Sequence, residues 1–247
     1  MKFIRYGILL LATMFTGCAA LQQNDSYNDI PPQVVTWAET NAMHVGTPNG
    51  SGSGFWVDNE TFVTACHVVG QEYLSWRINP KTLEGESYVE FEVQPEAQVS
   101  NSDLSVSLNL AVKSCDRDTD IAVLKRQWLV SDSKFTALPS FYAHPNPELG
   151  EAVYGAGYGL SERLHITIGH WQNETRYSRG DRSRPTYIIT APTIFGDSGS
   201  AALRLKDGRV EIVGIRQAVR NTPAGVIPHL VFVSDAMDIH TQVELNK

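Results

Sequence analysis

The 247 residues, 42% of them apolar, suffice for one large domain or two small ones. A formal net charge of −7 argues against nucleic acid as a main partner. Nothing after the first twenty residues is long and apolar enough to span a bilayer, and no repeat at solenoid spacing occurs.

Lys2 and Arg5 give the chain a positive start, and Gly7–Gly17 (GILLLATMFTG) is a short apolar run. It ends in FTGC. A small residue followed by Cys resembles the lipobox of bacterial lipoprotein signal peptides. The resemblance implies a signal peptide over residues 1–17, cleavage before Cys18, and a lipid on Cys18 that anchors the chain to a membrane of the bacterial envelope. Ala19, rather than Asp, after the Cys points to the periplasmic face of the outer membrane. Phe15 stands where that family usually carries Leu, so a plain secretory signal is the alternative. Residues 18–33, polar with a Pro pair, are expected to be a tether. The remaining cysteines, Cys66 and Cys115, leave two alternatives: a disulfide, which export permits, or two buried thiols.

Residues 34–130 then run as short apolar stretches broken by turn residues. GSGFWV, Asp58-Asn59-Glu60 and TFVTACHVV read as strand, tight turn, strand. SYVEFEVQPEAQV and LSVSLNLAVKS alternate in polarity like half-buried strands, and DIAVLKR is a shorter run. The text changes at Ser131–Gly150, which holds three prolines and little periodicity; residues 131–147 are expected to link two halves. From 148 to 247 strands resume in EAVYGAGY, RLHITIGHW, PTYIITA, GSAALRL, RVEIVGIRQAV and HLVFVS, and DAMDIHTQVEL suits a C-terminal helix. Short strands at regular spacing with few helices predict an all-β fold, here two antiparallel barrels of about six strands each. TRYSRGDRSR (Thr175–Arg184) holds four arginines and reads as a solvated loop.

Three motifs carry chemistry. TACHVV places His67 at the end of a strand, DRDTDIAVLK places Asp120 at the start of one, and GDSGS places Ser198 in a glycine turn. Taken singly each has a bland reading: a strand-end histidine, a turn-capping aspartate, a turn serine. Together they supply a hydroxyl, an imidazole that takes its proton, and a carboxylate that fixes the imidazole tautomer. In this order, with GSGFWV before the His and an apolar strand after the Ser, the set resembles the trypsin/chymotrypsin-fold serine proteases. The likeness is greatest to their bacterial HtrA-like and glutamyl-endopeptidase-like branches, and it covers roughly Val45 to Ser234. It implies two six-stranded barrels with the three residues astride them. It also implies a protein or peptide substrate, and an oxyanion hole from the N–H groups of Gly196 and Ser198. No cofactor is expected, and the other histidines show no metal-ligand spacing. The length leaves no room for a PDZ domain after the peptidase, so regulation by one is not expected.

The same resemblance places substrate-binding residues at Thr193 and at Arg216, Gln217, Ala218 and Val219, the last three offering backbone bonds to an added strand. Two alternatives stand for Arg216. Open to the pocket, its guanidinium would favour Glu or Asp at P1; paired with an internal acid such as Asp197, which is the preferred alternative, it would not. No IVGG-like start occurs, so activation by a freed N-terminus is not expected, and Asp197 needs another partner such as an arginine. The rival from another class is a catalytically silent, envelope-tethered peptide-binding module on the same fold.

Overall fold

The computed structural model describes residues 29–82, 85–102, 104–127, 135–143, 148–159, 163–179, 182–222 and 225–247. Cys18 and the leader therefore lie outside the described residues. The first strands follow directly from local chemistry. β1 (Ala42–Thr47) turns into β2 (Gly50–Trp56), and β2 into β3 (Thr61–Ala65). At the second turn the Asp58 carboxylate accepts the N–H groups of Glu60 and Thr61 at 2.8 and 2.7 Å, which closes the Asp-Asn-Glu bend. β3 runs into a four-residue helix, α2 (Cys66–Val69), and then into a hairpin, β4 (Gly70–Ile78) and β5 (Gly85–Val93). Pro95 divides the alternating stretch after Tyr88: β5 ends at Val93, and β6 (Glu96–Ser100) begins beyond the proline. β7 (Ser107–Asp116) and β8 (Ile121–Arg126) complete the half.

Antiparallel pairing in the order β1-β2-β3-β8-β7-β6, with β6 returning to β1, closes the first barrel. β4 and β5 stand outside it as a separate two-stranded sheet. β2, β3 and β8 bury both faces. Met43, Trp56, Phe62, Leu110 and Leu124 form the first barrel's own core. Phe55, Val63 and Val123 on the alternate face join a second cluster with Tyr154, Leu203 and Ile212 of the other half. This is why these strands read as continuous apolar runs rather than alternating ones.

The second half holds β9 (Phe141–Tyr142), β10 (Ala152–Gly157), β11 (His165–Arg179), β12 (Arg182–Thr190), β13 (Ala201–Lys206), β14 (Arg209–Thr222) and β15 (Gly225–Asp235). The order β13-β10-β11-β12-β15-β14 closes through β13–β14, giving a second six-stranded antiparallel barrel. Helix α3 (Ala236–Glu244) follows, its start capped by the Asp235 carboxylate, which accepts the Met237 N–H at 2.8 Å. The predicted two-barrel, all-β fold with a C-terminal helix is therefore what the chain adopts.

Four details differ from the expectation. Helix α1 (Pro32–Asn41) occupies the end of the expected tether and the expected start of the barrel. Pro32 suits a first helical turn, where its missing N–H costs nothing. Val34, Trp37, Ala38 and Asn41, one face at helical spacing, are buried. Within the expected linker, Phe141 and Tyr142 pair in parallel with β14. β1 and β4 are strands beyond those the sequence pattern predicts. The arginine-rich segment is the distal part of a hairpin, with Arg179 opposite Arg182.

Of the two alternatives for the cysteines, the structure has the disulfide. Cys66 and Cys115 are bonded with their Cα atoms 5.0 Å apart. The cross-link spans 49 residues and ties α2 to β7. On a chain-entropy estimate, closing a loop of that size destabilises the unfolded chain by about 4 kcal/mol.

Candidate active site

His67 lies in α2, one residue beyond the cystine, and Asp120 lies in the turn that precedes β8. The aspartate has a left-handed backbone, φ 54°, a conformation Asp tolerates better than most residues. That geometry aims both its carboxylate oxygens and its carbonyl at α2. Its carbonyl accepts the Cys66 N–H at 3.0 Å, Oδ1 accepts the His67 N–H at 3.0 Å, and Oδ2 lies 2.8 Å from His67 Nδ1. With a carboxylate against Nδ1, that nitrogen carries the proton, and Nε2 is left as the basic one. Asp120 is 4% exposed, whereas the His67 side chain is 29% exposed, so the pair is anchored inside and open at the imidazole.

Ser198 sits in the turn between β12 and β13 of the second barrel. Gly196 and Gly199 have φ of 97° and 87°, which glycine adopts without strain. A Cβ on Gly199 would also lie 2.1 Å from the Ser53 carbonyl, so nothing larger fits. The turn is stitched by Asp197 N–H to the Ile194 carbonyl at 3.2 Å, Gly199 N–H to Arg216 O at 2.8 Å and Ser200 N–H to Asp197 O at 2.9 Å. None of these bonds uses the N–H of Gly196 or Ser198, and both residues line the cleft. The Ser198 hydroxyl donates to the Gln217 carbonyl at 3.2 Å. The Gln217 side chain in turn donates to Thr119 O at 2.7 Å, beside Asp120, and bonds the Ser234 hydroxyl. β14 is thus tied to both the serine and the aspartate turns.

Ser53 carries no signal in sequence, yet it holds the turn. Its N–H donates to Ser198 O at 2.8 Å, its hydroxyl donates to Gly196 O at 2.6 Å, and Ser53 Oγ accepts the Tyr158 N–H at 2.8 Å. One serine of GSGFWV therefore fastens the first barrel to the glycine turn of the second.

Asp197 points the other way, into the second barrel, where it is 3% exposed. Its Oδ2 accepts from Arg216 Nη2 at 3.1 Å, from the Thr193 hydroxyl at 2.8 Å and from the Ile194 N–H at 3.0 Å. His165 Nε2 lies 2.8 Å from Oδ1. Burial alone would raise the carboxyl; the Arg216 guanidinium, His165 and the Ile194 N–H outweigh it and hold the group down to about 2. Arg216 is 1% exposed and also donates to the Pro192 carbonyl at 3.1 Å. Room for it comes from Gly155, where a Cβ would sit 2.4 Å from Nη1. Of its two alternatives Arg216 thus takes the preferred one, the pair with Asp197, and the Thr193 hydroxyl is bonded to the same carboxylate. The cation lies under the turn because an unpaired buried carboxylate there would be costly. His165, 32 residues from Asp197 in sequence, carries no local signal of this contact.

The remaining expected contacts, Gln217, Ala218 and Val219, lie on β14 and pair across to β15 through Ala218–Phe232 and Val219–Val231. Beside Ser198, lined by no residue of β14, a cavity of about 510 Å³ opens between the barrels. His67, Gly196 and Ser198 line it together with Thr47, Asn49, Gly50, Ser51, Gln71, Gln94 and Phe195. Among the described residues, no group of His, Cys, Asp and Glu is arranged to hold a metal, and no helix is long and apolar enough to cross a membrane.

Comparison with known proteins agrees with this architecture. The family model described as "Trypsin-like peptidase domain" matches residues 52–215. No curated protein matches the sequence. Among solved structures, the active form of the Rv3671c protease from M. tuberculosis is similar at 20% identity and TM-score 0.66, over 89% of this chain and 86% of that one. The inactive form of its Ser343Ala mutant is similar at 18% and 0.64, over 90% and 93%. The MamO protease domain from Magnetospirillum magneticum is similar at 16% and 0.59, over 84% and 98%.

Proposed function

The chain belongs to the trypsin-like peptidase domain family, and on that premise we propose that it is a serine endopeptidase working through an acyl-enzyme on Ser198. The observation that carries this reading is the buried Asp120 carboxylate 2.8 Å from His67 Nδ1, with His67 and Ser198 lining one cavity. A peptide lying along Gln217–Val219 as an added strand presents its carbonyl to Ser198. The hydroxyl leaves the Gln217 carbonyl and turns to His67 Nε2, which takes the proton as Oγ bonds the carbonyl carbon. The oxyanion is met by the N–H groups of Gly196 and Ser198. His67 then protonates the leaving amine, the C–N bond breaks, and a water, deprotonated by the same imidazole, hydrolyses the ester. Asp120 stabilises the imidazolium in each half-reaction.

Because Arg216 is committed to Asp197, no acid preference at P1 is expected. Digestion of a peptide library, read by mass spectrometry, should show no enrichment of Glu or Asp before the cut; a profile dominated by those residues would overturn this. The silent binding module remains a second reading because the Ser198 hydroxyl bonds Gln217 O rather than His67. We also place the protein in the bacterial envelope through a lipid on Cys18, supported by the FTGC sequence. Cys18→Ser should move the protein from the membrane fraction to the soluble fraction and abolish labelling by palmitate; unchanged fractionation would contradict the anchor.

A further inference from the structure

The β4–β5 hairpin leaves the body of the protein at the cleft. Gly70, Gln71 and Gln94, at its root, line the same cavity as His67 and Ser198. The register puts Gly70/Val93, Glu72/Phe91, Leu74/Val89, Trp76/Ser87 and Ile78/Gly85 on one face. At the root this face is covered: Phe91 packs on the first barrel's core, and Arg117 stacks on its ring at 4.5 Å while pairing with Glu72. Beyond Arg117 nothing covers the face among the described residues. Leu74, Trp76, Ile78 and Val89 are 62, 71, 70 and 61% exposed. The opposite face is polar and bonded to itself, with the Ser75 hydroxyl on Glu90 at 2.7 Å and the Tyr88 hydroxyl on the same carboxylate at 3.2 Å. Within this two-stranded sheet β4 pairs with β5 alone, so no further strand lies along the outer edge of β4. A single hairpin with one bare apolar face is marginal in water, so the arrangement calls for an occupant.

We propose that this face is an exosite for an extended, apolar, non-acidic segment of the polypeptide substrate. The proposal rests on the peptidase reading for its direction. The acyl side of a substrate follows β14, no residue of which lines the cavity, so the leaving-group side runs through the cavity toward the hairpin root. Phe195, 90% exposed, borders that path. From Gly70 to Ile78 the strand extends about 26 Å, enough for some eight residues of an extended chain to lie beside it. Backbone bonds to a free edge would hold such a chain in any sequence, and the apolar face would select alternate side chains. Charge narrows the class: with Glu72 paired to Arg117, Glu86, Glu90 and Glu92 on the hairpin's other face still outnumber Arg77, the single basic residue of the two strands, so the hairpin as a whole is net negative.

Binding is measurable without catalysis. In the full chain carrying Ser198→Ala, the anisotropy of a fluorescein-labelled 16-residue peptide alternating Leu or Val with Ser or Lys should report saturable binding. The Glu-for-Lys counterpart should bind at least 10-fold more weakly. Leu74→Ser/Trp76→Ser/Ile78→Ser should weaken binding at least 10-fold, whereas Tyr73→Ser/Tyr88→Ser on the polar face should change it less than 2-fold. Equal binding by both hairpin variants would overturn the proposal. So would hairpin-dependent dimerisation in sedimentation, or hairpin-dependent partition onto phosphatidylethanolamine/phosphatidylglycerol vesicles, without peptide binding. Peptide binding by a chain whose wild type never hydrolyses peptides would keep the exosite and sink the peptidase reading; hydrolysis without this binding would do the reverse.

Discussion

Ser198→Ala and His67→Ala are each expected to lower kcat for peptide hydrolysis by about 10⁶-fold, and the double variant by no more than either alone. The two side chains act as one unit: without the imidazole the hydroxyl keeps its proton, and without the hydroxyl the imidazole has nothing to activate. Asp120→Asn should cost about 10⁴-fold, because the amide can donate to Nδ1 and so favours the wrong tautomer. Urea midpoints should stay close to wild type for Ser198→Ala, since the bond lost is one 3.2 Å contact to Gln217 O. Kinetics on a fluorogenic peptide checks all four variants; additive losses in the double variant would mean that Ser198 and His67 do not work together.

The largest effect on stability is expected at Arg216. Arg216→Met leaves Asp197 buried without its cation, and should cost 3–5 kcal/mol, on the order seen when one partner of a buried pair is removed. It should also depress kcat, because Asp197 holds Thr193 and Ile194 on one side of the turn that presents Gly196 and Ser198. Arg216→Met/Asp197→Asn should recover part of the stability, since no buried charge remains. The same group gives a pH signature. Its folded value of about 2 lies below its ordinary 3.8, so its stabilisation is fully present above about pH 4 and is lost as pH falls toward 2. The depression corresponds to about 2 kcal/mol, and the side chain is 3% exposed, so little of it is screened. Urea unfolding at pH 7 and pH 2.5 measures both effects. A wild-type protein equally stable at the two values, or an Arg216→Met variant within 1 kcal/mol of wild type, would contradict the role given to the pair.

The two barrels were legible because strand runs, turn residues and the proline-rich Ser131–Gly150 stretch all give local signals. His67, Asp120 and Ser198 were legible as a set because their chemistry demands an order and flanking strands. The contacts that fasten them were not. Ser53 meets Gly196 across 143 residues, and His165 meets Asp197 across 32, and neither partner marks the other in sequence. The Arg216–Asp197 pair was one of two open alternatives, since a buried arginine and a pocket arginine look alike in sequence. Phe141–Tyr142 is too short to show a period. Helix α1 follows a Pro pair and polar residues that also suit a tether; its buried face forms only against strands of both halves, among them β1, β10, β13 and β14.

The central claim is that Ser198 is a nucleophile activated by His67 and Asp120. It is tested most directly by incubating the folded protein with a fluorophosphonate and mapping the adduct by mass spectrometry. The expected result is a single covalent adduct on the peptide containing Ser198, absent from Ser198→Ala and from His67→Ala. Folded wild-type protein that takes up no label, or takes it up at another serine, would contradict it.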